Sequence, residues 1–233
     1  MILKNDLSKI SIIIPTINEA NNLPLLLSDL LSIQKGGEII IVDCGSDDKT
    51  IDIANIYGAK VYQSEERNRG LQLDMGAKNS KGDWLIFLHA DTRLNYDWFR
   101  KINSYVEGNK NSIYYFEFRI NHKKIIYRVL EILVNFRSKF FKQPYGDQGL
   151  IIHKTTYLKN NGFRKIPLME DVDFLRRLNK KKDLKQLNLP IFISSRKWER
   201  TNIFLQAIKN WQFRRRWLKG ESLKSIYSDY YKK

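Results

Sequence analysis

The chain has 233 residues, 42% of them hydrophobic, which is enough for a sizeable core and excludes a globally disordered protein. Its one cysteine, Cys44, excludes an intrachain disulfide and suits a reducing, cytoplasmic setting. The net charge of +16 is uneven: residues 1–100 hold 11 Lys+Arg against 14 Asp+Glu, and residues 101–233 hold 30 against 11.

A basic second half points to an anionic partner, whether nucleic acid, membrane or phosphorylated substrate, or else to solvated lysine-rich faces. The opening MILKNDLSKI has no apolar stretch of signal-peptide length. No run approaches the roughly 18 apolar residues of a spanning helix. The expectation is a soluble or peripheral protein.

Residues 10–14, Ile-Ser-Ile-Ile-Ile, form a β-branched run stopped by Pro15, which predicts a strand buried on both faces. Glu19-Ala20 open an apolar-periodic stretch through Leu31, a helix that Gly36-Gly37 would end. Glu38–Val42 reads as a second buried strand, followed by Asp43-Cys44-Gly45-Ser46-Asp47, where Ser46 or Asp47 could cap a helix closed by Gly58. Lys60–Gln63 is a short third strand, Gly70–Ser80 a helix and Trp84–Leu88 a fourth strand.

This alternation predicts an α/β protein with a largely parallel sheet, whose ligands bind beyond the C-terminal strand ends. Glu19, Asp43 and Asp91 stand at or just past those ends. No G-x-G-x-x-G follows the first strand and no Walker-type lysine loop occurs, so dinucleotide binding is weakly supported. In the second half, IYYFEFRI at 113–120 predicts a strand that could run antiparallel, and 122–142 an apolar-rich helix with basic ends. Gly149–His153 and LNLPIFIS at 187–194 predict further strands. Glu170, Asp171 and Asp173 fall in the first turn of a helix, and the tail 203–233 has aromatic and basic residues at helical spacing. No linker divides the chain, so a single domain over 1–233 is expected.

Four stretches in order, SIIIPTINEANNL, IIIVDCGSDDKT, RNRGLQLDMGAKNSKGDWLIFLHADTRL and IPLMEDVDFLRRL, resemble the successive motifs of family 2 glycosyltransferases. The resemblance implies a GT-A (Rossmann-like) fold with a mostly parallel sheet. It also implies a nucleotide-sugar-binding half over 10–93, an acceptor half over 110–200, and inverting transfer. LHADTRL, YGDQGL, IPLMEDVDF and SSRKWER are similar to one bacterial subgroup, the radical-SAM/selenodomain-associated transferases linked to arsenosugar biosynthesis. Some members of that subgroup carry a diaponeurosporenoate (carotenoid) label.

By the same resemblance Asp91 matches the last acid of an Asp-x-Asp motif that binds Mg²⁺ or Mn²⁺ on the donor diphosphate. The motif's first acid is replaced by His89, which could ligate Mn²⁺ or simply pack. Pro15, Glu19 and Asp43 match nucleotide contacts; the alternatives are a capping turn for Asp43 and helix-dipole stabilisation for Glu19. Cys44 stands where many relatives have a second acid. Arg67 and Arg69 could grip the diphosphate or be solvated. Asp171 matches the family's base and Glu170 its neighbour that orients the acceptor, while Asp173 favours the helix start. Asp147 and Gln148, with Arg196 and Trp198 of SSRKWER, are candidate acceptor contacts.

The expected partners are a nucleotide-sugar donor and a small or lipid-linked acceptor, with the helix at 122–142 and the tail able to dock on the inner face of an anionic membrane. No nucleic-acid-binding motif accompanies the basic runs, so nucleic acid is not expected. The competing readings are a nucleotidyltransferase and a non-catalytic basic module.

Overall fold

A computed structural model describes residues 10–178, 184–195 and 203–231. One eight-stranded mixed sheet, flanked by helices, runs through both halves of the chain, in the order β3-β2-β1-β4-β7-β6-β8-β5. Its first four strands are β1 (Ile10–Thr16), β2 (Gly37–Asp43), β3 (Lys60–Gln63) and β4 (Trp84–Phe87), all mutually parallel. The others are β5 (Thr92–Leu94), β6 (Ile113–Ile120), β7 (Leu150–His153) and β8 (Leu184–Ile193). Strand β7 pairs antiparallel with β4 and with β6, β6 runs parallel to β8, and β5 closes the sheet antiparallel to β8. The parallel character expected for the sheet thus belongs to β1–β4 and to the β6–β8 pair.

The apolar run Ile12–Ile14 of β1 follows from burial on both faces. Ile12 and Ile14 join the cluster on one side, and Ile13 the cluster on the other. The first side is covered by α1 (Leu23–Asp29), α2 (Thr50–Ile56), α4 (Trp98–Val106) and α5 (Ile125–Phe141), through Leu26, Ala54, Trp98 and Leu130. The second is covered by α3 (Arg69–Asn79), α6 (Lys154–Lys159) and α7 (Glu170–Arg177), through Leu73, Tyr157 and Phe174. Helices α8 (Ile203–Leu218) and α9 (Leu223–Tyr231) complete the described chain.

Several boundaries differ from the sequence reading. The first helix begins at Leu23, because Glu19 is spent on a turn in which its carbonyl accepts from the N–H groups of Asn22 and Leu23. Its C-terminal part is a 3₁₀ turn, Leu31–Lys35. Strand β8 begins three residues earlier than read, at Leu184, and the β6–β8 register shifts between Tyr115 and Glu117. Pro190, which cannot donate to a ladder, stands opposite Glu117 just past that shift. Helices α4 and α6 and strand β5 have no counterpart in the sequence reading. Arg93 of β5 makes a two-point ion pair with Asp29 at 2.6 and 2.8 Å, and Trp98 Nε1 donates to the Asp29 carbonyl at 2.7 Å. These contacts tie the segment after β4 to the end of α1.

Candidate active site

Strands β1 and β2 stay paired to their last residues, Thr16 opposite Asp43, and the loops after them are stitched together. Asp43 is fully buried and accepts three hydrogen bonds: from Thr16 Oγ1 at 2.8 Å, from Ser46 N–H at 2.8 Å and from Ser46 Oγ at 2.5 Å. Asn18, in the left-handed region at φ 55°, takes the Asp47 N–H on its side chain, and its own N–H donates to Ser46 Oγ. Gln72 of α3 donates to the carbonyls of Thr16 and Val42 at 3.0 and 2.8 Å, tying α3 to both strand ends.

A cleft of about 310 Å³ opens beside these loops. Its wall includes Pro15, Glu19, Arg67, Arg69, His89 and Asp91, contributed by the ends of β1, the start of α3 and the end of β4. Asn68 starts α3 by accepting the Leu71 N–H at 3.0 Å, which presents Arg67 and Arg69 on either side of the cap. Arg69 Nε donates to Glu170, which is only 2% exposed. Burial pushes the Glu170 carboxyl above its usual range; Arg69 opposes that shift and the neighbouring Asp171 adds to it.

A second cleft adjoins the first, and Arg69, His89, Leu168 and Tyr230 border both. It is lined further by Tyr145, Gly146, Asp147, Asp171, Asn210 and Arg214. Asp171 is held in orientation by two backbone donors, Gly146 N–H and Val172 N–H, each at 2.7 Å. Gly146 lies so close to His89 and Asp171 that a Cβ there would stand 3.0 Å from His89 Nε2 and 3.5 Å from Asp171 Oδ2. Tyr145 is flanked by two guanidinium groups, Arg137 at 3.7 Å and Arg214 at 5.7 Å from the ring centroid. Burial lowers the pKa of both; Asp147 and Asp171 oppose the shift at Arg137, and at Arg214 the like charge of Arg137 reinforces it.

The first cleft therefore gathers Pro15, Glu19, Arg67, Arg69, Asp91 and Glu170, and the second gathers Asp147 and Asp171. Two candidates lie off both walls. Asp43 sits beneath the loops, with its oxygens engaged by Thr16 and Ser46. Gln148 is fully buried, and its amide is spent on Ser138, Arg137 and the Phe116 carbonyl. Glu170 is committed to Arg69 rather than open to an acceptor. Arg196 and Trp198 lie outside the described residues. Tyr227 and Tyr230 on the first cleft, and Asn210 and Arg214 on the second, escaped the sequence reading. Helical spacing marks their segment, and the sequence offers it a membrane surface rather than a cleft wall.

Among the described residues no group of three or more His, Cys, Asp or Glu could hold a metal ion by itself. Asp91 and His89 share the first cleft, and one carboxylate with a neighbouring imidazole suits a cation whose other ligands are phosphate and water. That donor set fits a metal arriving with a phosphorylated ligand.

Such a mixed sheet, with carboxylates past the ends of β1 and β4 and two joined clefts over its C-terminal edge, defines an α/β fold of the GT-A type. The chain belongs to glycosyl transferase family 2, whose family model matches residues 11–219. Relatives include a 4,4'-diaponeurosporenoate glycosyltransferase of Staphylococcus haemolyticus, 40% identical over 93 residues, which are 37% of this chain and 25% of that protein. A PGL/p-HBAD biosynthesis glycosyltransferase of Mycobacterium tuberculosis is 38% identical over 91 residues, 36% of each chain. The chain thus matches only about a quarter to a third of the length of these relatives.

Solved structures share the fold. S. aureus TarS 1-349 in complex with UDP-GlcNAc has a TM-score of 0.65 at 19% identity, covering 81% of this chain and 59% of that one. Glucosyl-3-phosphoglycerate synthase from M. tuberculosis, in complex with Mn²⁺, UDP and glucosyl-3-phosphoglycerate, has a TM-score of 0.60 at 18% identity, covering 78% and 70%.

Proposed function

We propose that the protein transfers one sugar from a nucleotide-activated donor to a hydroxyl of a small or lipid-linked acceptor, inverting the anomeric centre. The observation that carries this reading is the common border of the two clefts, with Asp91 on one and Asp171 on the other. The donor would occupy the first cleft and the acceptor the second. Arg67, exposed at the cleft rim, meets the donor's phosphates, and Glu170 positions Arg69 for the same task. Asp43 serves by holding the loops that shape the cleft.

Asp171 acts as the base. It takes the acceptor's hydroxyl proton as that oxygen bonds to the anomeric carbon, while the bond from that carbon to the diphosphate oxygen breaks and the nucleoside diphosphate leaves with the electron pair. The Gly146 and Val172 N–H groups hold the carboxylate in place, and each oxygen retains capacity for a further bond. Attack opposite the leaving group gives inversion. Mg²⁺ or Mn²⁺, held by Asp91 with the donor's phosphates and with His89 as a candidate ligand, would offset the charge gathering on the leaving diphosphate. The motif wording LHADTRL and IPLMEDVDF, with the similarity to a diaponeurosporenoate glycosyltransferase, supports a carotenoid-type or arsenosugar-type glycoside as the product class.

The test is a panel of nucleotide sugars and nucleoside diphosphates, titrated with and without Mn²⁺, with release of nucleoside diphosphate as the activity readout. One nucleotide should bind in a metal-dependent way, and Asp91→Ala should abolish that dependence. Asp171→Asn should keep nucleotide binding and lose about 10²–10⁴-fold in turnover. A folded wild-type protein that binds none of the panel would overturn the proposal.

A further inference from the structure

Helix α5 turns an apolar stripe outward. Ile125, Val129, Ile132, Leu133, Phe136 and Phe140 are between 45% and 81% exposed. At about 100° per residue these six fall on one stripe roughly 100° wide. The stripe lies opposite the buried Tyr127, Leu130, Glu131 and Ser138. The only acid of α5, Glu131, is on that inner face, paired with Arg119 and Arg128 at 3.1 and 2.8 Å, so no acid of the helix borders the stripe.

Beside the stripe runs an open groove of about 630 Å³, between α5 and the β6–β8 pair. Phe136, Lys139, Lys142, Lys185, Gln186 and Asn188 line it, so it offers ammonium and amide donors next to an aromatic ridge. Among the described residues the one carboxylate lining the groove, Glu117, is paired with Arg119 at 2.6 Å.

We propose that α5 lies in the interface of an anionic lipid bilayer, its stripe among the acyl chains and the lysine groove on the lipid phosphates. Among the described residues no helix is long and apolar enough to cross a membrane, so α5 would lie in the plane of the surface. Charge selects the bilayer over a second copy of the chain. Residues 101–233 hold 30 Lys+Arg against 11 Asp+Glu, and a two-fold contact through α5 would bring Lys139, Lys142 and Lys185 of both copies toward one seam. A bilayer containing phosphatidylglycerol supplies both the apolar phase and the counter-charge. The far end of α5 leads through Gln143 and Pro144 to Tyr145 and Gly146 on the second cleft, and Arg137 of α5 stacks on the Tyr145 ring at 3.7 Å. A docked α5 therefore brings the rim of that cleft to the lipid surface. The docking goes beyond sugar transfer and stands or fails separately from it.

The experiment is flotation of the full chain with vesicles of phosphatidylcholine alone, and of phosphatidylcholine with roughly one-third phosphatidylglycerol. Two variants accompany it: Ile132→Ser/Phe136→Ser/Phe140→Ser, and Lys139→Glu/Lys185→Glu. Circular dichroism and the melting temperature report folding, and light scattering reports oligomeric state. The wild type should float with the anionic vesicles and not with the neutral ones. Each variant should lose about tenfold or more in partitioning while staying folded. Three results would overturn the proposal: no flotation of the wild type, flotation equal for wild type and both folded variants, or a wild-type dimer that the serine variant converts to monomer.

Discussion

Replacing Asp43 separates two roles that one carboxylate at the end of β2 could have. In the structure it is buried and accepts from Thr16 Oγ1, Ser46 N–H and Ser46 Oγ. A hydrogen bond to a charged group contributes about 1.5–3 kcal/mol, and the three here are coupled, so their sum is an upper bound. Asp43→Ala removes all three and leaves the Ser46 N–H without its acceptor; we expect a loss of about 3–4 kcal/mol. Asp43→Asn should cost about 1–2 kcal/mol. Its carbonyl can still take the Ser46 N–H, and both hydroxyls can rotate to accept from the amide. Urea denaturation followed by circular dichroism reads both values. Because Asp43 is not on the cleft wall, the Asn variant should bind nucleotide within about threefold of wild type, or less than 1 kcal/mol. An alanine variant within about 1 kcal/mol of wild-type stability that has nonetheless lost nucleotide binding would refute this reasoning.

Other substitutions probe the neighbourhood of Arg69. Burial raises the Glu170 pKa above its ordinary 4.5, so its stabilising contribution is complete below that value and is lost as pH rises through the folded pKa. The melting temperature of wild type relative to Glu170→Gln should therefore fall as pH rises from about 4.5 toward neutrality; parallel curves would contradict it. In Gly70→Ala the new Cβ would stand 2.2 Å from the Arg164 carbonyl oxygen and 3.1 Å from Glu170 Cβ. We expect a loss of about 1–3 kcal/mol despite alanine's better helix propensity, and a neutral or stabilised variant in urea would count against the close packing of α3 on that loop. Tyr230→Ala removes a ring that borders both clefts; donor KM should rise about three- to tenfold with turnover nearly unchanged, and an unaltered KM would remove α9 from the site.

The parts of the fold legible in the sequence are those with a local cause. The β-branched runs of β1 and β2 and the aromatic run of β6 declare themselves because each is buried along its length. Asp91 is legible as a strand-end acid because β4 is an apolar run that must end before a polar pair, and the structure sets it on the wall of the first cleft. Strand β5 could not be read this way. It is three residues long, and it exists through pairing with β8, one hundred residues later, and through the Arg93–Asp29 contact. Helix α4 did leave a signal, Trp98, Ile102 and Val106 at four-residue spacing, all buried in the finished fold. Burial of individual polar groups was the least legible feature. Asp43 and Gln148 look like site residues beside their neighbours in sequence, and only the positions of Thr16, Ser138 and Phe116 show that their polar atoms are already used. Tyr227 and Tyr230 reach the cleft because α9 folds back over a strand end formed two hundred residues earlier.

The seam where β7 meets β4 has a consequence for how such a chain can change. The strands run in opposite directions, with Phe87 opposite Leu150 and Trp84 opposite His153. The segment leaving β4 and the segment entering β7 therefore emerge at the same edge, one carrying His89 and Asp91 and the other Tyr145, Gly146 and Asp147. Each can be lengthened or rewritten without disturbing the ladder between them, because the ladder ends before either begins. An insertion among residues 143–145, ahead of the Gly146 and Gln148 contacts, would move one cleft's wall against a fixed opposite wall, while β1–β4 kept their register. The architecture works as a hinge-less vice with one replaceable jaw, in which preference for what enters the second cleft can drift over generations while the first stays as it was.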